Sequence, residues 1–306
     1  MELSWLMKLR IAAAAAVGVV LIGFLAWPLA APTEPFGVVS LVDGNVTSSE
    51  AIILLFLGLL AGFVAYFLAW PFGREIGILA VPAGLAVWAV RCGGMADLMR
   101  LTPTVAQRQQ VFSTLKWEPL FWLAIVAAGF CGTLLAGRVA KQKTNPATSS
   151  SKSNSKANIY LNTAVALAGS VLAAQFFIKL LAQNVEIPDS RLGSVMVRPS
   201  AAQIVFAVLV SFALTAFLVK KFLNAGYIWP IIASALVTGF SLAAYTNEDV
   251  LQHIIEHWPP VFFSNPVIAI LPVQMVAFGA IGSIAGYWMA VRYNYWRKHE
   301  MNQQIG

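Results

Sequence analysis

Residues Pro119 to Gly137 read PLFWLAIVAAGFCGTLLAG, nineteen consecutive positions without a charged side chain. At the rise of an α-helix such a run covers about 28 Å, close to the thickness of a bilayer's hydrocarbon core. In lipid the backbone must satisfy its own hydrogen bonds, so the run has to be a helix. Working outward, seven more runs of this kind follow from the same count: Ile11 to Ala30, Ala51 to Trp70, Ile76 to Val90, Ile159 to Ala182, Ala201 to Val219, Tyr227 to Tyr245 and Val267 to Val291. The third is the shortest, and Pro82 in its middle predicts a kink.

Composition agrees, with 59% hydrophobic and 11% charged residues against about 25% charged in soluble proteins. The expected fold class is all-α, a polytopic membrane helix bundle of about eight transmembrane helices. The net charge of +7 is scattered over loops instead of forming a folded basic face, which argues against nucleic acid as a partner. Two cysteines exclude a disulfide scaffold. A bond between Cys92 and Cys131 is not expected either, because Cys131 falls roughly 18 Å down the fourth span.

Lys8 and Arg10 ahead of an alanine-rich run imitate a secretory signal. That run is about 20 residues against roughly 7 to 15 for a signal, and Pro28 and Leu29 stand where a small residue is needed. The first span is therefore expected to stay uncleaved. Basic loops are held on the cytoplasmic side. Setting the N-terminus inside collects Lys8, Arg10, Arg74, the Arg138 to Lys156 cluster, Lys220, Lys221 and Arg292 there, while all acidic residues but Glu2, Glu75 and Glu300 fall outside. The expectation is an inner or plasma membrane protein with both termini cytoplasmic, in contact with the lipid bilayer.

Residues 138–158 are rich in Ser, Lys, Asn and Thr and read as a flexible basic cytoplasmic linker. It separates residues 1–137 from residues 159–306, each holding four spans. A shift of 150 residues aligns the second span with the sixth and the fourth with the eighth. Val126, Ala127, Gly129, Gly132 and Thr133 then fall on Val276, Ala277, Gly279, Gly282 and Ser283, so both copies read V-A-x-G-x-x-G-[ST]. An even number of spans per half makes the repeats parallel, giving two parallel four-helix repeats. Glycines at this spacing expose backbone for close helix packing, and Gly58 with Gly62 offers a further G-x-x-x-G face.

Each half carries a long outer loop between its third and fourth spans, Arg91 to Glu118 and Thr246 to Pro266. In the second, Val250, Leu251, Ile254, Ile255 and Trp258 recur at helical spacing, which predicts an amphipathic helix ended by Pro259 and Pro260. The first loop is basic through Arg91, Arg100, Arg108 and Lys116, and the second is acidic, so either the loops dock by charge or the basic loop receives an acidic partner.

His253-Ile-Ile-Glu256-His257 matches H-x-x-E-H, and imidazoles four apart on a helix could share one metal. A catalytic zinc needs a third ligand that the downstream sequence does not supply on that side, so the favoured reading is a solvated polar face with no cofactor, and the alternative is a plain divalent metal or proton site at His253, His257 and Asp249. No aspartate or glutamate falls in the core of a predicted span, which counts against ion-coupled transport. Lys179 is the sole charge within a span. Uncharged polar residues concentrate in the second half; the favoured reading is that they cement helix contacts, and the alternative is a polar path around Gln175 and Gln274 that also draws on Asn162 and Lys179. Pro230 and Pro272 could break helices there.

No Walker loop, dinucleotide fingerprint or nucleophile elbow is present, which leaves a conventional enzyme without support. The favoured reading is a non-catalytic structural or accessory subunit of a membrane assembly, meeting other membrane proteins through its glycine faces and charged outer loops. The alternative is a facilitative permease or channel for a neutral or hydrophobic solute.

Overall fold

The computed structural model describes residues 4–32, 37–42, 46–140, 156–183, 185–189, 193–197, 199–257, 263 and 265–305. It contains eight helices long and apolar enough to cross a membrane. The chain is a polytopic integral membrane protein, and its regular structure among the described residues is helical apart from one short hairpin.

Helix α1 (Trp5–Gly18) continues as a π-helix, Val19–Leu25, and ends in a 3-10 turn at Trp27–Leu29. α2 (Ser48–Leu68) starts at a capping box in which Thr47 Oγ1 accepts from the Glu50 N–H and the Glu50 carboxylate accepts from the Thr47 N–H. The third span is broken: α3 (Gly73–Ile76) passes through a 3-10 turn at Gly77–Leu79 into α4 (Ala80–Arg91). Pro82 has no N–H for the Ile78 carbonyl and its ring crowds that group, so the expected disturbance falls one turn before the proline. α5 (Met95–Leu101) and α6 (Val105–Leu115) lie between this span and α7 (Glu118–Val139).

Residues 141–155, the bulk of the expected linker, lie outside the described residues. α8 (Lys156–Leu181) leads into the antiparallel strands β1 (Val185–Asp189) and β2 (Gly193–Val197), which pair Val185 with Val197 and Ile187 with Val195. The sequence reading held no strand here. α9 (Ala201–Leu223) is capped by Ser200 and ends at Asn224, whose left-handed φ of 50° closes the helix. α10 (Ile228–Ala243), α11 (Glu248–His257) and α12 (Pro272–Ile305) complete the chain. Pro230 and Pro272 both sit in the first turn of their helices, where no intrahelical donor is lost, so they open α10 and α12 and do not break them.

The most extensive pairings are α2 with α7 and α9 with α12. Both are backbone contacts made possible by glycine. A Cβ on Gly62 would overlap the Gly129 carbonyl, and one on Gly132 would overlap the carbonyl of Leu59. A Cβ on Gly58 would crowd the Ile125 carbonyl at 3.1 Å, while one on Gly279 would meet a side chain of α10 instead, the Ser234 Cβ at 2.9 Å. A Cβ on Gly282 would overlap the Leu209 carbonyl, and one on Gly286 that of Ala213. These faces meet inside the chain, so the expectation that they dock other membrane proteins does not hold for the glycines described. Across the bundle α4 packs on α12, α10 on α7, and α7 on α12. α12 is the most enclosed span, whereas the described side chains of α8 bury the single ridge Ala166, Ser170, Ala174 and Ile178, which Ala182 extends just past the helix end.

Candidate functional site

The short helices α5, α6 and α11 gather at one end of the bundle, here termed the cap end. α5 begins where Asp97 Oδ2 accepts from the Gly94 N–H at 2.8 Å, and α6 begins at a Thr104–Gln107 capping box. Arg108, expected to face an acidic partner, is 4% exposed. Its Nε donates to the Thr102 carbonyl at 3.0 Å and an Nη to the Met99 carbonyl at 3.5 Å, which caps the last turn of α5 from within the same loop. Arg100 pairs with Asp97 at 3.5 Å. The two long loops do meet, but on apolar ground: Phe112 and Tyr245 rings lie 5.8 Å apart, Leu251 is buried, and Gln109 Nε2 donates to the Thr246 carbonyl at 3.4 Å. No ion pair between the loops occurs among the described residues.

Under this cap lies a cavity of about 150 Å³ lined by the Cys92–Asp97 turn, the Pro199–Ala201 start of α9, Ile204, Phe263, Ala269 and Gln274. Gln274 is buried, and its amide bridges two elements: Oε1 accepts from the Leu271 N–H at 3.2 Å, and Nε2 donates to the Ala89 carbonyl of α4 at 3.1 Å. Burial, with a smaller contribution from the nearby Glu118 carboxylate, pushes the Cys92 thiol, just past the end of α4, up to about 11. A thiol held protonated in this way is a poor nucleophile.

Behind Cys92 stands Glu118, the last residue of the first expected outer loop. It opens α7 and is fully buried. Its two oxygens accept from the Ser40 hydroxyl and the Trp122 indole N–H, each at 2.8 Å. Trp122 packs edge-on to Trp88 at 6.0 Å, Trp88 to Trp27 at 6.2 Å, and the Arg91 guanidinium lies 4.4 Å above Trp27. The Trp88 indole donates to the Gly23 carbonyl at 3.2 Å, within the π-helical stretch of the first span. The sequence signal for Glu118 was its neighbour Pro119, which marks a helix's first turn, together with Trp122 four residues on.

The other expected site residues do not come together. Asn162, at the opposite or base end, donates to the Leu223 carbonyl at 3.3 Å and finishes α9. Gln175 is half-buried on α8, and Lys179 is exposed near the cap end of that helix. Neither lines the cavity that holds Gln274. His253 and His257 stack at 4.4 Å on exposed turns of α11, with His257 Nδ1 donating to the His253 carbonyl at 3.0 Å. Asp249 is exposed one turn earlier. Among the described residues no three of His, Cys, Asp and Glu gather closely enough to hold a metal ion. Asn45, which opens an Asn45-Val46-Thr47 glycosylation sequon, and Trp258 to Pro260 of the second loop lie outside the described residues.

No family model, curated protein or solved structure matches the chain. The chemistry of the site is its own: a small cavity of mixed polar and apolar lining, with each buried charged or amide group described there held by neighbours within the chain.

Proposed function

We propose that the protein is a non-catalytic subunit of a membrane assembly that engages its partner at the cap end. The observation that carries this reading is where the chain builds ordered structure beyond its spans. Three short helices are locked over one end of the bundle by Arg108, by the Phe112–Tyr245 contact and by Gln109, whereas the glycine faces inside the bundle are occupied by its own helices. Capture in mild detergent followed by mass spectrometry tests it. A stoichiometric membrane partner that is lost when Arg108 and Phe112 are replaced supports docking at the cap. A monodisperse lone protein sinks it.

A facilitative permease is the second reading. Its support is that Ser211 and Thr215, on consecutive turns of α9, are wholly buried with no hydrogen-bond partner among the described residues, as is the hydroxyl of Ser241 on α10. Hydroxyls left unpaired inside a bundle point to a passing or resident polar molecule. Solute flux in liposomes that falls on Thr215→Val would favour this reading over the first.

We further propose that residues 1–137 and 159–306 are duplicated four-helix units, with the chain ends cytoplasmic in an inner or plasma membrane. The equivalent carbonyls under Gly132 and Gly282, Leu59 and Leu209, stand 150 positions apart like the glycines themselves, and this supports duplication. Reporter fusions decide the orientation: activity of a periplasmic reporter at residue 140 would reverse it.

A further inference from the structure

We propose that the base end of α9 and α12 is a binding surface for anionic phospholipid. From Ala201 to Gly226 and from Pro272 to His299 the sequence has no aspartate or glutamate, yet these stretches hold Lys220, Lys221, Arg292, Arg297 and Lys298. α12 carries one acidic residue beyond these stretches, Glu300, and Glu75 lies near Tyr287, so positive charge is in excess at this end without being alone there.

The cations are arranged on aromatic rings. The Lys221 ammonium lies 4.8 Å from the centre of the Tyr293 ring, 5.5 Å from Phe222 and 5.8 Å from Phe217. The Arg292 guanidinium lies 4.9 Å from Trp296. Lys220 sits 5.2 Å over Tyr287 and donates to Asn224 Oδ1 at 2.8 Å. Phe222, Tyr293 and Trp296 are themselves exposed.

A ring face holds an ammonium in place but takes none of its three N–H donors. Among the described residues Lys221 has no hydrogen-bond acceptor, so its donors point to an external one. Lys221 lies in the last turn of a membrane span, the depth at which hydrocarbon gives way to headgroups, with exposed rings beside it. A ligand that suits both parts has a phosphate at the cations and an acyl chain along the rings. A phospholipid with net negative charge fits this description, and a soluble acidic peptide would leave the rings uncovered.

The full chain, purified in neutral detergent, is titrated with phosphatidylglycerol and with phosphatidylcholine of the same acyl chains, reading thermal unfolding and lipid retention by native mass spectrometry. Phosphatidylglycerol is expected to raise Tm by about 3 °C more than phosphatidylcholine. The Lys221→Gln/Arg292→Gln variant is expected to bind it about thirtyfold more weakly, and Lys221→Gln alone about fivefold, should the double variant fail to fold. Lys179→Gln, at the cap end, should leave the response intact. Equal responses to the two lipids, a double variant that responds like the wild type, or a Lys179→Gln variant that loses as much would overturn the proposal. So would inorganic phosphate reproducing the whole shift, since the site would then take free anions.

Discussion

At Gly62 a single methyl group meets backbone and not side chain, because its Cβ would overlap the Gly129 carbonyl. A flexible side chain could turn aside, but a carbonyl moves only with its helix. Gly62→Val is expected to lower the detergent stability by about 3 kcal/mol, at the upper end of overpacking costs. Gly169→Ala should be silent by the same thermal measurement, because nothing lies within 4 Å of its Cβ. Glu118 behaves in the opposite way, since it is missed when removed. Glu118→Leu leaves the Ser40 hydroxyl and the Trp122 indole without their acceptor, at about 1–3 kcal/mol for each buried donor. A Tm unchanged from wild type in that variant would show that water replaces the carboxylate. With the Cys92 thiol raised to about 11, its labelling by maleimide in a Cys131→Ala background should be slow at pH 7 and climb with each pH unit toward 11. At this scale the glycines were legible from their spacing, which depends only on the chain's own helix. Glu118 was not, because a carboxylate beside Lys116 reads as loop charge until Ser40, distant in sequence, is brought against it.

Among the elements, the spans were legible to within a turn at most ends, since hydropathy alone decides which residues tolerate lipid. The errors fall where a polar anchor extends or cuts a helix. Ser4 starts α1 several residues before the apolar run, and Pro272 delays α12 past the apolar residues Val267 to Leu271. α5 illustrates a partner that periodicity cannot reveal. Its C-terminal carbonyls are capped by an arginine from the next helix, so helix and loop form one unit. Arg108→Met, which keeps the stem and removes the donors, is expected to cost about 2 kcal/mol and to speed proteolysis around residues 101–104 while the spans stay intact. Cleavage at the wild-type rate would mean that the cap holds without it. The β1–β2 hairpin escaped the sequence reading because strand alternation over five residues is weak beside the helical signal on either side.

For the molecule as a whole, the two sets of spans are joined by contacts that cross the bundle, α4 with α12 and α7 with α10, along with the Gln274 bridge to Ala89. Residues 1–140 and 156–306, expressed as separate chains in one cell, are therefore expected to co-purify and to restore a single unfolding transition. Recovery of either piece alone as a stable monodisperse protein would show that the crossing contacts contribute little. Topology at this scale was legible as a count of spans, because each crossing carries its own signal. Which span touches which was not, because a lipid-facing leucine and a helix-facing leucine look alike in sequence.

The glycine contacts also impose a timetable on biogenesis. α2 and α7 run parallel, so a return crossing and the whole α5–α6 segment must leave the ribosome before Gly132 can reach Leu59, and a similar stretch separates Leu209 from Gly282. At ordinary synthesis rates each first partner waits roughly 4–15 s in the bilayer with its narrow face open. During that interval the nascent chain depends on lipid, or on an insertion chaperone, to cover backbone that the finished protein covers by itself.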